Sequence, residues 1–342
     1  MNRGRWDRSG EARLPESDLP AVEVLLATYN GERFVREQIE SILAQDYPQV
    51  RVVARDDGSS DGTVGILDEY ERRYPERFRV VRDGVRSGGA KWNFIRLLRQ
   101  STAGYVCLAD QDDVWKPNKA RDSMGAMGKL EAKHGGEIPL LVFSDLEVVD
   151  AELRVIFPSF WKVQRIAPEN IGRLERLVTQ NVLTGCTAML NRRLVSLAAE
   201  MPKEVFMHDG WIALIAGAMG KASYLREPTV LYRQHGGNVV GVEEPEPAAL
   251  IPRWRFHDER RKQWERSETQ SAALLRVHGE KLPERSARLL RAYSVCETSP
   301  NRVRRVTTLL RHRFFVNAVR PNLAMLWYLW DMKAAKRQVD RL

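Results

Sequence analysis

Short apolar runs alternate with amphipathic helical patterns through the first third of the chain. The apolar runs lie at residues 22–27, 50–54, 78–81 and 105–109, and the helical patterns at residues 34–43, 64–67 and 92–98. Near-continuous apolar runs of this length are typical of strands that are buried on both faces. Strands that alternate with helices predict an α/β fold, with helices on both faces of a mostly parallel sheet.

Two clusters of acidic residues begin where predicted strands end. Residues 110–113 follow the run at 105–109, and residues 56–61 follow the run at 50–54. Ligands of an open parallel sheet bind at the carboxyl ends of the strands, so the two clusters are expected to lie close together. Carboxylate oxygens suit Mg²⁺ or Mn²⁺ held together with substrate phosphates. Each cluster alone fits an ordinary turn, but the pair predicts a site for a metal ion and a diphosphate.

The composition is that of a folded protein. Of the 342 residues, 43% are hydrophobic and 29% are charged, which are ordinary values for a globular chain. The three cysteines are too widely spaced for a disulfide framework or a zinc site, and no signal peptide is evident at the N-terminus, so we expect a cytoplasmic protein. Residues 1–19 are expected to form a flexible tail, residues 20–245 the α/β domain, and residues 246–342 a basic, mostly helical extension, with the boundary at an acidic, proline-rich segment.

The positive charge is concentrated in the C-terminal region. The whole chain carries a net charge of +9, and residues 251–342 alone carry +12. Arginines at 302–313 precede aromatic and apolar residues at 314–316 and 323–330, a composition that suits the surface of an anionic membrane. The apolar run is too short to span a bilayer, so the prediction is peripheral binding at the inner face of the plasma membrane. A helix packed on its own domain or in a homodimer is the alternative, whereas no recognised motif supports nucleic-acid binding.

Four short motifs occur in order along the chain. They are Ala27-Thr28-Tyr29-Asn30-Gly31, residues 56–63 (DDGSSDGT), residues 110–113 (DQDD) and His208-Asp209-Gly210-Trp211. Through them, residues 20–240 resemble the nucleotide-sugar glycosyltransferases of family 2. This resemblance implies the GT-A fold, which is Rossmann-like, and a divalent metal as cofactor.

The resemblance also implies roles for individual residues. Ala27, Thr28 and Tyr29 would border the nucleoside, and Asp56 and Asp57 would recognise the base. Asp110 would face both the ribose and the metal, Asp112 would be the main metal ligand, and Asp209 would be the catalytic base of an inverting transfer. The alternative for Asp209 is a helix N-cap, for which Asp is also favoured.

Other residues are candidates from their position in the sequence. Lys91 and Asn93 open a predicted helix after a glycine loop, where a helix N-terminus favours phosphate, so both are expected to border the nucleotide. Arg233 and His235 lie in a loop that is expected to reach the diphosphate or the metal, although His235 also fits a solvated loop. Trp211 is expected to contact the donor sugar, or else to fill space beside the cleft.

The segments at 207–211 and 232–241 look most like the rhamnosyltransferase-type branch of the family. This implies dTDP-L-rhamnose as the donor, with a UDP-hexose or UDP-N-acetylhexosamine as the alternative, and a glycan or lipid-linked acceptor in surface polysaccharide synthesis. Gly210 departs from the branch, in which bulky aromatic residues are common at this position. A sugar-phosphate nucleotidyltransferase is a second interpretation, but the chain has no glycine-rich phosphate loop.

Overall fold

The computed structural model describes residues 18–235, 253–317 and 319–331. The strands in these ranges are β1 (Val22–Thr28), β2 (Val50–Asp56), β3 (Phe78–Val80), β4 (Tyr105–Asp110), β5 (Val114–Trp115), β6 (Leu140–Ser144), β7 (Glu147–Val149), β8 (Val155–Phe157), β9 (Met189–Asn191), β10 (Lys221–Leu225) and β11 (Val230–Arg233). The helices are α1 (Val35–Leu43), α2 (Thr63–Arg73), α3 (Ala90–Gln100), α4 (Lys119–His134), α5 (Phe160–Val163), α6 (Leu174–Leu177), α7 (Arg192–Ala198), α8 (His208–Met219), α9 (Arg253–His278), α10 (Glu284–Thr298), α11 (Arg302–His312) and α12 (Val319–Asp331).

A seven-stranded sheet forms the centre of the molecule, in the order β10-β6-β9-β4-β1-β2-β3. β1 pairs in parallel with β2 and β4, and β2 with β3, as the alternation of strands and helices predicts. Adjacent residues of β1 are buried on opposite faces, with Val24 in one hydrophobic cluster and Leu25 in the other. The α/β fold with helices on both faces is thereby confirmed.

Two features of the sheet structure were not predicted. β9 runs antiparallel to both β4 and β6. A second sheet of four strands, in the order β5-β11-β7-β8, lies outside the main sheet. β5 begins directly after the acidic residues 110–113, and β11 ends at Arg233. The small sheet therefore ties the acidic turn to the segment around residue 233.

The C-terminal helices share a core with the sheet domain. Trp264 of α9, Tyr293 of α10 and Leu329 of α12 belong to the same buried cluster as Leu25 of β1. The helical extension is confirmed, and it is packed on its own domain through a continuous apolar interior. The predicted boundary near residue 245 and most of the predicted tail at 1–19 lie outside the described residues, so this division stays a prediction.

The helix α12 has two different faces. Ala324, Met325 and Leu329 are buried, whereas Leu323 and Trp327 are exposed. One face thus packs on the protein, as one alternative predicted, and the other meets solvent. Among the described residues, no helix combines the length and apolar character needed to cross a bilayer.

The helix α9 lies against α8 at a glycine. A Cβ atom placed on Gly210 would lie 3.0 Å from Oε1 of Gln270 on α9, and this oxygen atom is buried. Bulky aromatic residues are common at this position in the rhamnosyltransferase-type branch that the sequence resembles. Such a side chain would occupy the space that α9 fills. Gly210 therefore permits the C-terminal helices to dock next to Asp209.

We expect Gly210→Leu to destabilise the protein by about 1 to 3 kcal/mol, the usual cost of overpacking a filled interior. The matched control is Gly65→Leu on α2, where a Cβ atom meets no heavy atom within 4 Å. Urea unfolding of the two variants provides the comparison. An equal effect of both substitutions would contradict the proposed close approach of α9.

Candidate active site

A cavity of about 700 Å³ opens at the carboxyl ends of β1, β2 and β4. The residues predicted from the sequence that line it are Ala27, Thr28, Tyr29, Asp57, Asn93, Asp110, Asp112 and Asp209. Its remaining walls include the start of α3, residues 183–185 and the start of α8. This is the position expected for a ligand site in an open α/β sheet.

Gln111 joins the ends of β1 and β4. The backbone N–H of Tyr29 donates to Gln111 Oε1 at 2.7 Å, and Gln111 Nε2 donates to the Tyr29 carbonyl at 2.9 Å. A Cβ atom on Gly31 would lie 2.3 Å from the same Oε1, so only glycine leaves room for this amide. The residue between the two acids thus fixes the strand ends, a role that the acidic motif did not predict.

Asp57 is buried and accepts several hydrogen bonds from one loop. Its carboxylate accepts from the backbone N–H groups of Ser87, Gly88 and Gly89, the last two at 2.9 and 3.0 Å. Burial would raise the pKa of Asp57, but these bonds and Arg55 outweigh it, and the pKa is lower than its ordinary value. The carboxylate therefore stays charged and holds the glycine loop over the cavity.

Arg55 is the buried partner of this carboxylate. Its Nη1 lies 3.3 Å from Asp57 Oδ1 and donates to Asn93 Oδ1 at 2.9 Å, while its Nε and Nη2 donate to the two oxygens of Asp83 at 3.0 and 2.9 Å. Asn93 in turn donates to the Thr28 carbonyl at 3.2 Å. Arg55 and Asp83 thus fix the predicted residues Asp57 and Asn93, and neither was a candidate from the sequence.

Asp56 and Lys91 do not line the cavity. Asp56 accepts from the Gly58 and Ser59 backbone N–H groups and from the Thr28 hydroxyl, so it closes the turn after β2. Lys91 Nζ donates to the Val205 carbonyl at 2.7 Å and so points to the segment before α8. The structure thus places neither residue in the cavity wall, and their predicted contacts with the base and the nucleotide stay predictions.

Three carboxylates converge on the cavity from β4 and α8. Burial, followed by the charges of Asp112 and Asp209, raises the pKa of Asp110 to about 7. Burial also raises the pKa of Asp209 to about 6, although hydrogen bonds from the Gly210 N–H and the Asn181 side chain oppose this rise. Asp110 therefore lies in a partly buried position within reach of two other negative charges.

Asp209 is not an N-cap, because α8 begins at His208 and Met207 occupies the cap position. Asp209 lies in the first turn and faces the cavity. His208, which also lines the cavity, packs against Phe94 in a tilted arrangement with ring centroids 4.4 Å apart. Burial lowers the pKa of His208 to about 4, so its ring is neutral at physiological pH.

Asp113 lies beneath the other acids and is fully buried. Its Oδ1 accepts from the Arg233 backbone N–H at 3.3 Å, and its Oδ2 has no hydrogen-bond partner among the described residues. Burial and then the charges of Asp112 and Asp110 raise the pKa of Asp113 well above its ordinary value. The site thus contains a fourth, buried acid that does not line the cavity.

Arg233 and His235 both contact Asp112. Arg233 is buried, donates from Nε to the Asp112 carbonyl at 2.8 Å and pairs with Glu37. It does not line the cavity, so the expected diphosphate contact is corrected to a structural role. His235 Nε2 lies 2.9 Å from Asp112 Oδ2, which places it beside the predicted metal ligand as expected.

Trp211 is fully buried and does not reach the cavity. Its Nε1 donates to the Ala198 carbonyl at 3.2 Å, and its ring stacks on His278 with centroids 5.8 Å apart. The expected donor contact is therefore corrected, and the alternative that Trp211 fills space is right.

Arg86, which was not predicted, lines the cavity and donates to the Tyr29 hydroxyl at 2.9 Å.

The comparison with known proteins agrees with this geometry. The family model described as glycosyl transferase family 2 matches residues 23–195, about half of the chain. The chain belongs to glycosyl transferase family 2. The match covers β1 to α7 and includes every predicted site residue before residue 195.

Two curated relatives of this glycosyltransferase carry informative names. The dTDP-rhamnosyl transferase RfbG of Shigella flexneri is 26% identical over 228 residues, which cover 64% of this chain and 74% of RfbG. A Bacillus subtilis (strain 168) protein named for teichuronic acid biosynthesis, TuaG, is 33% identical over 198 residues, which cover 57% of this chain and 72% of TuaG.

Solved structures support the fold of the family 2 enzyme. The crystal structure of residues 1–349 of S. aureus TarS, in complex with UDP-GlcNAc, matches with a TM-score of 0.51 and 17% sequence identity. The match covers 85% of this chain and 80% of the TarS chain. The likeness therefore extends beyond the family 2 match and includes part of the C-terminal helices.

We expect Arg55→Met to destabilise the glycosyltransferase by about 3 to 5 kcal/mol, because it leaves the buried Asp57 without its counter-charge. Chemical denaturation measures the loss. The control is Arg36→Met, which removes a pair with Glu69 in which both side chains are largely exposed. That variant should change stability far less, and similar losses in the two variants would contradict the central role of Arg55.

A second prediction concerns Asp110. Because its pKa is raised to about 7 in the folded protein, the folded state keeps a proton between about pH 4 and pH 7 that the unfolded state has released. Stability from this group therefore falls as the pH rises through that window. Asp110→Asn should be more stable than the wild type by an amount that grows from pH 4 to above pH 7, measured by urea unfolding with a metal chelator. A difference independent of pH would contradict this reasoning.

Proposed function

We propose that this glycosyltransferase moves a sugar from a nucleoside-diphosphate donor to an acceptor hydroxyl, with inversion at the anomeric carbon. The observation that carries the proposal is the convergence of Asp57, Asp110, Asp112 and Asp209 on one cavity. Asp57 would recognise the base, since its carboxylate is fixed at the end of β2. Asp209 lies on α8, on a different wall from β1 and β2, as an acceptor-side base requires.

The acidic cluster fits a divalent cation. Asp110 and Asp112 offer hard oxygen ligands. Burial and the charges of Asp112 and Asp209 raise the pKa of Asp110, and a bound cation would relieve this repulsion. Asp110 and Asp112 would hold Mg²⁺ or Mn²⁺, with His235 supporting Asp112. When bound, such a cation supplies Lewis-acid stabilisation of the departing diphosphate.

Asp209 would act as the general base. With a pKa raised to about 6, it is ionised at neutral pH and still basic enough to accept a proton from an acceptor hydroxyl. The acceptor oxygen forms its bond to the anomeric carbon as the bond to the diphosphate oxygen breaks, and the hydroxyl proton passes to the Asp209 carboxylate. A single in-line displacement of this kind inverts the anomeric centre.

For the donor we propose dTDP-L-rhamnose, and for the acceptor a glycan or a lipid-linked oligosaccharide of surface polysaccharide synthesis. The name of RfbG supports the donor, and the name of TuaG supports glycan assembly as the setting. We further propose that the enzyme works in the cytoplasm at the inner face of the plasma membrane, where a lipid-linked acceptor would be found.

The central test is nucleoside-diphosphate release by purified wild type and Asp209→Asn, with dTDP-L-rhamnose and UDP-hexoses as donors. We expect Asp209→Asn to lower the rate by about 10² to 10⁴-fold, the range for loss of a general base. The wild-type rate should fall as the pH drops below about 6, where Asp209 becomes protonated. Asp112→Asn should abolish the response to added Mg²⁺ or Mn²⁺.

The matched control is Asp68→Asn on α2, which removes an exposed carboxylate that pairs with Arg82. It should keep full activity. Transfer at the wild-type rate by folded Asp209→Asn would overturn the assignment of the base. Activity with UDP-hexoses but not with dTDP-L-rhamnose would overturn the donor and leave the reaction class intact.

A further inference from the structure

The last two described helices expose apolar side chains on one side each. Val303 and Leu310 of α11, and Leu323, Trp327 and Trp330 of α12, are between 49% and 61% exposed. Two of these residues are tryptophans. Large exposed apolar side chains gathered in one region mark a contact with a partner or a membrane more often than chance exposure does.

The spacing of these residues places them on two adjacent ridges. Val303 and Leu310 are seven residues apart, which is two helical turns, and so lie on one face of α11. Leu323, Trp327 and Trp330 follow the same rule on α12. The Arg302 guanidinium carbon lies 5.4 Å from the centroid of the Trp330 ring, so the two ridges are neighbours.

Arginines border the ridge on α11. By the helical repeat, Arg304 and Arg311 lie on one side of the ridge and Arg302 lies on the other. Arg313 follows the last residue of α11, and all four arginines are exposed. Residues 298–330 contain six arginines and no Asp or Glu. On α11, arginines therefore border an apolar centre.

The interior faces of the same helices already account for the packing. Leu309 of α11 and Ala324, Met325 and Leu329 of α12 are buried, and buried Arg305 donates from Nε to the Leu329 carbonyl at 2.7 Å. These buried side chains thus hold α11 and α12 on the protein. The composition of the exposed ridges indicates a contact outside the described fold.

We propose that Val303, Leu310, Leu323, Trp327 and Trp330, with the four exposed arginines, form a docking face for an anionic lipid bilayer. The aromatic and aliphatic side chains enter the boundary between headgroups and acyl chains, and the arginines bind lipid phosphates. The proposal deepens the proposed function and rests on it for its purpose, which is to bring the enzyme to a lipid-linked acceptor.

Charge complementarity favours lipid over a second copy of the chain. In a symmetric dimer the same face would meet itself, and the arginine borders of the two copies would lie against each other with no acid within residues 298–330 to pair with. An anionic bilayer presents a dense layer of phosphates to all four arginines at once. Tryptophan is also enriched where protein meets the membrane interface.

The test is co-sedimentation of the full chain with phosphatidylcholine vesicles that contain about one phosphatidylglycerol in three lipids. The wild type should bind these vesicles, bind pure phosphatidylcholine weakly, and lose binding as salt is raised. Arg304→Gln/Arg311→Gln should lower the partition coefficient roughly 30-fold, the factor expected for two arginines at an anionic surface. Trp327→Ser/Trp330→Ser should lower it at least about tenfold, because two large apolar groups leave the interface.

Matched pairs from the sheet domain serve as controls. Arg51→Gln/Arg72→Gln makes the same change in net charge on exposed residues of β2 and α2, and Val155→Ser/Ile156→Ser removes exposed apolar groups of β8. Both should bind vesicles like the wild type. Equal loss in face and control pairs would show nonspecific attraction and overturn the docking face, as would no loss in the face pairs.

Sedimentation velocity and donor binding separate the remaining outcomes. A wild-type dimer that the tryptophan pair converts to monomer, with vesicle binding unchanged, would overturn the proposal in favour of a homodimer interface. All variants should retain stabilisation by dTDP with Mn²⁺ in thermal unfolding. Its absence in every protein, wild type included, would count against the proposed function, while selective loss of vesicle binding in the face pairs would still support the docking face.

Discussion

The parallel pairing of β1 with both β2 and β4 decides where chemistry can occur in this chain. In its register Thr28 lies beside Asp56, and Ala27 lies beside Asp110. The residues that follow each strand therefore emerge into one space, although they are far apart in sequence. A slip of one residue in either pairing would turn the strand-end side chains to the other face of the sheet. Gln111 fixes the β1–β4 side of this arrangement through its amide, which explains why a polar residue separates the two acids.

The acidic residues at the cavity lie in two different environments. Asp57 is compensated by Arg55 and by three backbone N–H groups, so its position and charge are fixed before any ligand arrives. Burial raises the pKa of both Asp110 and Asp209, and for Asp110 the charges of Asp112 and Asp209 add to the rise, so these two acids lower stability at neutral pH. A loss of stability is common at binding sites. Asp57 suits recognition of a constant part of the donor, whereas Asp110 and Asp209 suit groups whose charge changes on binding or during reaction.

Local patterns predicted the strands and the acidic clusters well, because buried strands and turn residues leave a signal within a few positions. The strands β5 and β9 have two and three residues, too few to show a period, so the second sheet and the antiparallel strand could not be predicted. Partners far apart in sequence were also missed: Asp83 binds Arg55 from 28 positions away. The expected contact of Trp211 with the donor sugar was wrong because α8 is buried nearly all round. The sequence of such an apolar helix does not reveal which side faces a cavity.

Gly210 connects the catalytic end of the molecule to its C-terminal helices. Without a side chain there, α9 lies directly against the turn that carries Asp209. A second connection runs through the segment after α11, where the Phe315 carbonyl accepts from Arg176 Nη1 at 2.8 Å and from the Thr179 hydroxyl at 3.2 Å. Thr179 is two residues from Asn181, which lines the cavity and hydrogen-bonds Asp209.

Because the ridges of α11 and α12 and the cavity wall belong to one packed unit, a bilayer bound at these ridges would lie at a fixed distance and angle from the candidate base. A lipid-linked acceptor requires such a geometry, since its lipid stays in the membrane while its hydroxyl must reach the donor.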